Sequence, residues 1–160
     1  MRRVNTALTV AILAYSVIVS IWYPVSGPVD HDENQFMASA FLVAQYGHHP
    51  YRDFAYFHMP NLVYLYAPFF LIPYSFLLAR LFVGICAIGI CLMIFLTARS
   101  LFAGQDKLNS LFPVFSTVLL IHSPLFDYAS SHVWNHTPST IFSVLAFLLH
   151  CQAIRVTNPL

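Results

Sequence analysis

The sequence predicts an all-α polytopic membrane protein, with four transmembrane helices and interfacial helices in the first outer loop. Two observations predict it. The chain is 59% hydrophobic and 8% charged, with a mean hydropathy of +0.71, whereas a soluble domain carries about 25% charged residues. Apolar runs over 7–23, 74–98, 110–125 and 139–153 alternate with Pro, Gly and polar punctuation. The formal net charge of +1 and the absence of a basic patch exclude nucleic acid as a partner. Cys86, Cys91 and Cys151 sit inside apolar runs and read as small buried hydrophobes. The 160 residues form a single membrane domain, and the stop at Asn158-Pro159-Leu160 reads as the N-terminal part of a longer protein.

The first span, 7–23, follows Met1-Arg2-Arg3 and reads as an uncleaved anchor, since no Ala-x-Ala site precedes the acidic cluster. Trp22 and Tyr23 close it as an aromatic belt, and Pro24, Gly27 and Pro28 stop the helix. Asp30-His31-Asp32-Glu33-Asn34-Gln35 then holds half of the chain's acidic residues. Asp30-x-x-Glu33 fits a capping box, so a helix is expected over 32–46, ending at Gly47. Its polar stripe of Asn34, Gln35, Ser39 and Gln45 suits a helix lying in the membrane interface. A polar aromatic loop, Gly47 to Phe54, leads through His58-Met59-Pro60 to a short apolar piece over 61–72, interfacial or re-entrant.

The span over 74–98 carries Arg80 nearly two turns inside its start, where an arginine is costly unless it snorkels or pairs. Turn residues 104–107 lead to the third span, 110–125, bounded by Pro113 and Pro124. A polar loop over 127–138 precedes the fourth span, 139–153. With a cytoplasmic N-terminus, Arg2, Arg3, Arg99, Lys107 and Arg155 all flank cytoplasmic ends. Asp30, Asp32, Glu33, Asp53, Asp127 and most of the histidines then gather on the extracytoplasmic face, where chemistry is to be sought.

Asp32 and Glu33 are the sharpest candidates. Capping explains one or two acids; a carboxylate at the water–lipid boundary can also act as a general base. Arg80 snorkels, or serves as counter-ion to a phosphate held at the membrane surface, which guanidinium matches in two-point contacts. Arg52 and Asp53 form an interfacial ion pair, or Arg52 and His58 add positive charge to an anion pocket. His48, His49, His58 and Asp53 lack helical metal spacing, so no metal site is read. Asp127, His132 and His136 form a candidate second polar cluster, with solvated loop residues the plainer reading. Asn135-His136-Thr137 matches a glycosylation sequon followed by Pro138.

The order of these features resembles the N-terminal third of the GT-C membrane glycosyltransferases. The features are a cytoplasmic first span, Asp32-Glu33-x-x-Phe36, Pro50-Tyr51-Arg52-Asp53-Phe54, a Pro60-bounded apolar piece and Ala79-Arg80-Leu81. That superfamily includes protein O-mannosyltransferases and the aminoarabinose transferases of lipid A. The resemblance covers about residues 2–102. It implies transfer of a sugar from a polyprenyl-phosphate donor to an acceptor outside the cytoplasm, in a bacterial inner membrane. It maps the catalytic aspartate to Asp32, with Glu33 beside it, and the donor-phosphate contact to Arg80, helped by Arg52 or His58. Asp127 and His136 stand where the family often has a second acid. No certain cofactor is implied; some relatives use a divalent cation and others do not. The acidic pair is expected to face Arg80 with a headgroup between them. The competing readings are a transporter fragment or assembly subunit without enzymatic activity, and a truncated, inactive glycosyltransferase.

Overall fold

The computed structural model describes residues 2–101, 111–134 and 136–157, and the side chains of 6–101, 111–134 and 136–150 among them. The turn expected at 104–107, the sequon residue Asn135 and the side chains of Arg2, Arg3, Cys151 and Arg155 lie outside the described residues. Among the described residues seven α-helices follow in order: α1 (Arg2–Ser26), α2 (His31–Tyr46), α3 (Asn61–Tyr66), α4 (Ser75–Leu101), α5 (Phe112–Ile121), α6 (Pro124–Ser131) and α7 (His136–Thr157). A 3-10 turn, Ala67–Leu71, continues α3.

Among the described residues two helical stretches, Thr6–Ser26 and Ser75–Leu101, are long and apolar enough to cross a membrane. The third expected span, 110–125, is not one continuous helix. Its helix stops at Ile121, and Leu125 belongs to α6. Proline causes the break. Ser123 before Pro124 is extended (φ −71°, ψ 124°), and Pro124 opens a new helix at its first position. The ten residues of α5 rise about 15 Å, half a bilayer core. The polar loop expected over 127–138 is likewise shorter, because α6 runs to Ser131 and α7 begins at His136.

Pro24 does not stop α1, which continues to Ser26. Proline lacks the N–H that would bond the Ser20 carbonyl, and α4 fills the gap it leaves. A Cβ on Gly84 would lie 2.7 Å from Ser20 O and 3.3 Å from Pro24 Cγ. Only glycine lets α4 come this close.

Two apolar clusters hold the bundle, and α4 contributes to both. Toward its middle, Ala87, Ile90 and Cys91 pack with Val19 of α1, Ile121 of α5 and Phe126 of α6. At its start, Ala79 and Val83 pack with Phe36, Met37 and Ala40 of α2, Leu62, Val63 and Tyr66 of α3, and Val133 and Trp134 of the α6–α7 link. The second cluster fixes α2 and α3 over the head of α4. It explains why α2 is held although it is too short to span: its buried face is Glu33, Phe36, Met37, Ser39 and Ala40, so Ser39 of the expected polar stripe turns inward, while Asp32, Asn34 and Gln45 stay outside.

Candidate functional site

The capping box sets the start of α2. The Asp30 side chain accepts the Asp32 amide at 2.9 Å, and Glu33 Oε2 accepts the Asp30 amide at 3.4 Å. At the other end Gly47 adopts φ 66° and closes the helix, its amide reaching Val43 O. Neighbouring residues on a helix point about 100° apart. Asp32 and Glu33 therefore face different ways. The Asp32 side chain is 61% exposed, and that of Glu33 is 0% exposed.

Glu33 meets Arg80 directly. Arg80 Nε donates to Glu33 Oε1 at 2.8 Å, and Nη2 donates to Oε2 at 2.7 Å. The remaining guanidinium hydrogens go to the last carbonyls of α1 and the turn after it: Pro24 O at 3.0 Å, Gly27 O at 2.8 Å and Pro28 O at 2.7 Å. Arginine has five N–H donors, and all are used. Glu33 is also saturated, since Oε1 accepts the Val133 amide at 2.9 Å as well. The Phe76 ring covers the guanidinium carbon at 4.8 Å. One ion pair thus joins the end of α1, the start of α2, the head of α4 and the α6–α7 link.

This corrects the expected arrangement at two points. No headgroup fits between Glu33 and Arg80, because they are in contact. In this conformation Arg80 has no donor left for a phosphate, and Glu33 has no lone pair left for an acceptor's proton. Both groups are buried, so a bidentate pair with every hydrogen bond made is the form that offsets their desolvation.

Asp32 is left as the exposed carboxylate of the pair. Its Oδ1 is 3.5 Å from His31 Nδ1, whose side chain is 97% exposed. One helical turn on, Phe36 packs against the His58 ring at 5.1 Å, which brings His58 to the same end of α2. Tyr56 follows, with its ring 5.9 Å from His58 and 6.0 Å from Tyr51. Burial, with Tyr51 nearby, pushes the Tyr56 phenol up to about 12, so it stays a neutral donor. That hydroxyl and Trp134 Nε1 are buried without a partner among the described residues.

Arg52 lies farther along this chain of rings and is held by its neighbour. Arg52 Nη2 donates to Asp53 Oδ2 at 2.7 Å, and Nε reaches both oxygens at 3.0 Å. The His49 amide adds a bond to Asp53 Oδ2 at 2.7 Å. The Arg52 bond, then the His49 amide, draw the Asp53 carboxyl down to about 2. Tyr51, in the left-handed region at φ 66°, donates its hydroxyl to the His58 carbonyl, so the loop is tied at both ends.

Asp127 and His136 do not join Asp32. Asp127 lies in the first turn of α6 and accepts from Ser131 Oγ at 3.2 Å. His136 opens α7 with its ring 5.4 Å from Trp134. Sequence reasoning missed the part played by this link. The Val133 amide seals Glu33, and the His132 ring stacks on Trp134 at 5.2 Å. A main-chain donor carries no residue signature that could have marked it. No His, Cys, Asp and Glu grouping suited to a metal ion occurs among the described residues.

Comparison with protein-family models, with curated proteins and with solved structures finds no match for this chain.

Proposed function

We propose that this chain is a membrane glycosyltransferase of the GT-C kind, or the part of one that carries the catalytic aspartate. It transfers a sugar from a polyprenyl-phosphate donor to an acceptor outside the cytoplasm. The observation that carries the reading is the division of labour at the start of α2. Glu33 is spent on Arg80, and this leaves Asp32 exposed at the rim of a rigid four-element junction. A general base needs to reach an incoming nucleophile and to be held in place while it does so. Four membrane spans, with α5–α6 as a broken third and α7 as the fourth, and a cytoplasmic N-terminus complete the arrangement.

Asp32 takes the proton of the acceptor. The acceptor attacks the anomeric carbon with inversion, the bond from that carbon to the phosphate oxygen breaks, and the electron pair leaves with the polyprenyl phosphate. The transition state has oxocarbenium character, as in glycoside hydrolysis. Arg80 is a positioning residue that acts through Glu33. Arg52, which has uncommitted guanidinium hydrogens among the described residues, and His58 are the groups assigned to the leaving phosphate.

The test is release of polyprenyl phosphate from a polyprenyl-phosphate-linked sugar by the chain in its membrane. Wild type turns over, and Asp32→Asn is slower by about 10²–10⁴-fold, the usual contribution of a positioned general base. An Asp32→Asn form with full turnover removes Asp32 from the role. A wild-type chain that leaves such donors intact removes the reading.

A further inference from the structure

Two neighbouring pieces of the first outer loop are held very differently. The turn over 49–54 is firmly made. Tyr51 N donates to Phe54 O at 3.0 Å, Asp53 N donates to His49 O at 2.9 Å, and Arg52 pairs with Asp53. Residues 55–59 make no hydrogen bond from main chain to main chain among the described residues. The Tyr51 hydroxyl, donated to the His58 carbonyl, is the one hydrogen bond that reaches them there. Phe57 and Met59 stand out, 86% and 78% exposed. What holds the piece inward is a line of rings. Tyr56, itself buried, meets Tyr51, Phe54 and His58 at 6.0, 6.3 and 5.9 Å, and His58 meets Phe36 of α2 at 5.1 Å. A segment with so few hydrogen bonds and such exposed flanks opens at low free energy.

One group opposes closure. The Tyr56 hydroxyl is buried with no partner among the described residues. A donor taken out of water and given no acceptor disfavours the state that buries it. Buried polar groups in folded proteins are nearly always paired, so an orphan asks for a reason. Here the orphan lies on the least bonded piece of the loop. Moving 55–59 outward breaks one hydrogen bond and returns the phenol to water.

We propose that residues 55–59 form a strap that opens about the fixed turn at 49–54, latched by the Tyr51 hydroxyl and driven open by the Tyr56 hydroxyl. Open, it uncovers the phenol and the side of Phe36, one helical turn from Asp32. The strap stands independently of sugar transfer. Where sugar is transferred, His58, the group assigned to the leaving phosphate, moves with it.

A distance between two nitroxide labels tests the strap in the full chain in mixed micelles. The labels are placed on Phe57→Cys and His31→Cys, both at exposed positions, with Cys151→Ala; Cys86 and Cys91 are buried. Pulsed electron resonance should give two distances, that of the structure and an open one, in a ratio that measures opening. Tyr51→Phe removes the latch and keeps the ring, so the open-to-closed ratio should rise about 2–10-fold, the net contribution of one hydrogen bond. Tyr56→Phe, made in that background where the open form is most populated, removes the orphan and keeps its ring. The ratio should then fall at least ~5-fold. A tyrosine whose hydroxyl is satisfied in the closed form moves it the other way. A ratio that fails to rise in Tyr51→Phe or to fall on adding Tyr56→Phe overturns the proposal, as does a single distance shared by wild type and Tyr51→Phe.

Discussion

Arg80→Ala tests the junction most sharply. The side chains of Glu33 and Arg80 are 0% and 5% exposed. The substitution takes two of the four hydrogen bonds that Glu33 accepts and strips the partner from the Pro24, Gly27 and Pro28 carbonyls. Leaving one partner of a buried pair uncompensated costs about 3–5 kcal/mol. At 1.4 kcal/mol per decade this lowers the folding equilibrium constant by about 10²–10⁴-fold. Reversible unfolding in mixed micelles reads the loss. Trp134 is the reporter, because it adjoins the Val133 amide that Glu33 accepts. The matched double substitution, Glu33→Ala with Arg80→Ala, removes both charges together. It is expected to cost less than the sum of the two single changes by more than about 1 kcal/mol, the signature of coupled groups. Additive losses, or an Arg80→Ala form within about 0.5 kcal/mol of wild type, as for an ordinary surface change, would refute the reasoning.

Other outcomes follow from single contacts. Gly84→Ala places a methyl 2.7 Å from the Ser20 carbonyl; overpacking of this kind costs about 1–3 kcal/mol, and an unchanged melting curve would show that α1 and α4 can part freely. Gly47→Ala meets nothing within 4 Å, so only its φ of 66° is strained; the expected loss is about 1 kcal/mol, and none at all would mean that α2 ends otherwise. The Asp53 carboxyl is held down to about 2 by Arg52 and the His49 amide. A carboxyl depressed on folding contributes stability above its unfolded value and loses it as pH falls through its folded one. The Arg52–Asp53 loop should therefore loosen between about pH 4 and pH 2. Carbon-13 NMR of the Asp53 carboxyl checks this, and a midpoint near 3.8 would show that the pair does not form.

The sequence made α2 legible because its signals are local. A capping box at Asp30 and Glu33 and a glycine at position 47 delimit a helix without help from tertiary contacts. The long apolar helix α4 was readable from apolar length alone. The break within the third expected span was missed because hydropathy averages across Ser123-Pro124, while the backbone responds to that one proline. Pro24 erred in the opposite direction. It looked like a stop, but Gly84 accommodates the carbonyl it leaves unbonded, and glycine on another helix is invisible to a local rule. At the site, Asp32, Glu33 and Arg80 were all identifiable as unusual charges in an oily chain. Their geometry was not, because pairing depends on a separation of 47 residues and on carbonyls and an amide that any residue could supply.

The division between a free Asp32 and a committed Glu33 is tested most directly by measuring turnover and melting temperature on the same two preparations. Asp32→Asn should lose release of polyprenyl phosphate at an unchanged melting temperature, since that carboxylate is 61% exposed and meets the exposed His31 ring. Glu33→Gln should melt well below wild type, because it leaves a buried guanidinium without its counter-charge. An Asp32→Asn form that turns over normally, or a Glu33→Gln form that keeps the wild-type melting temperature, would contradict it.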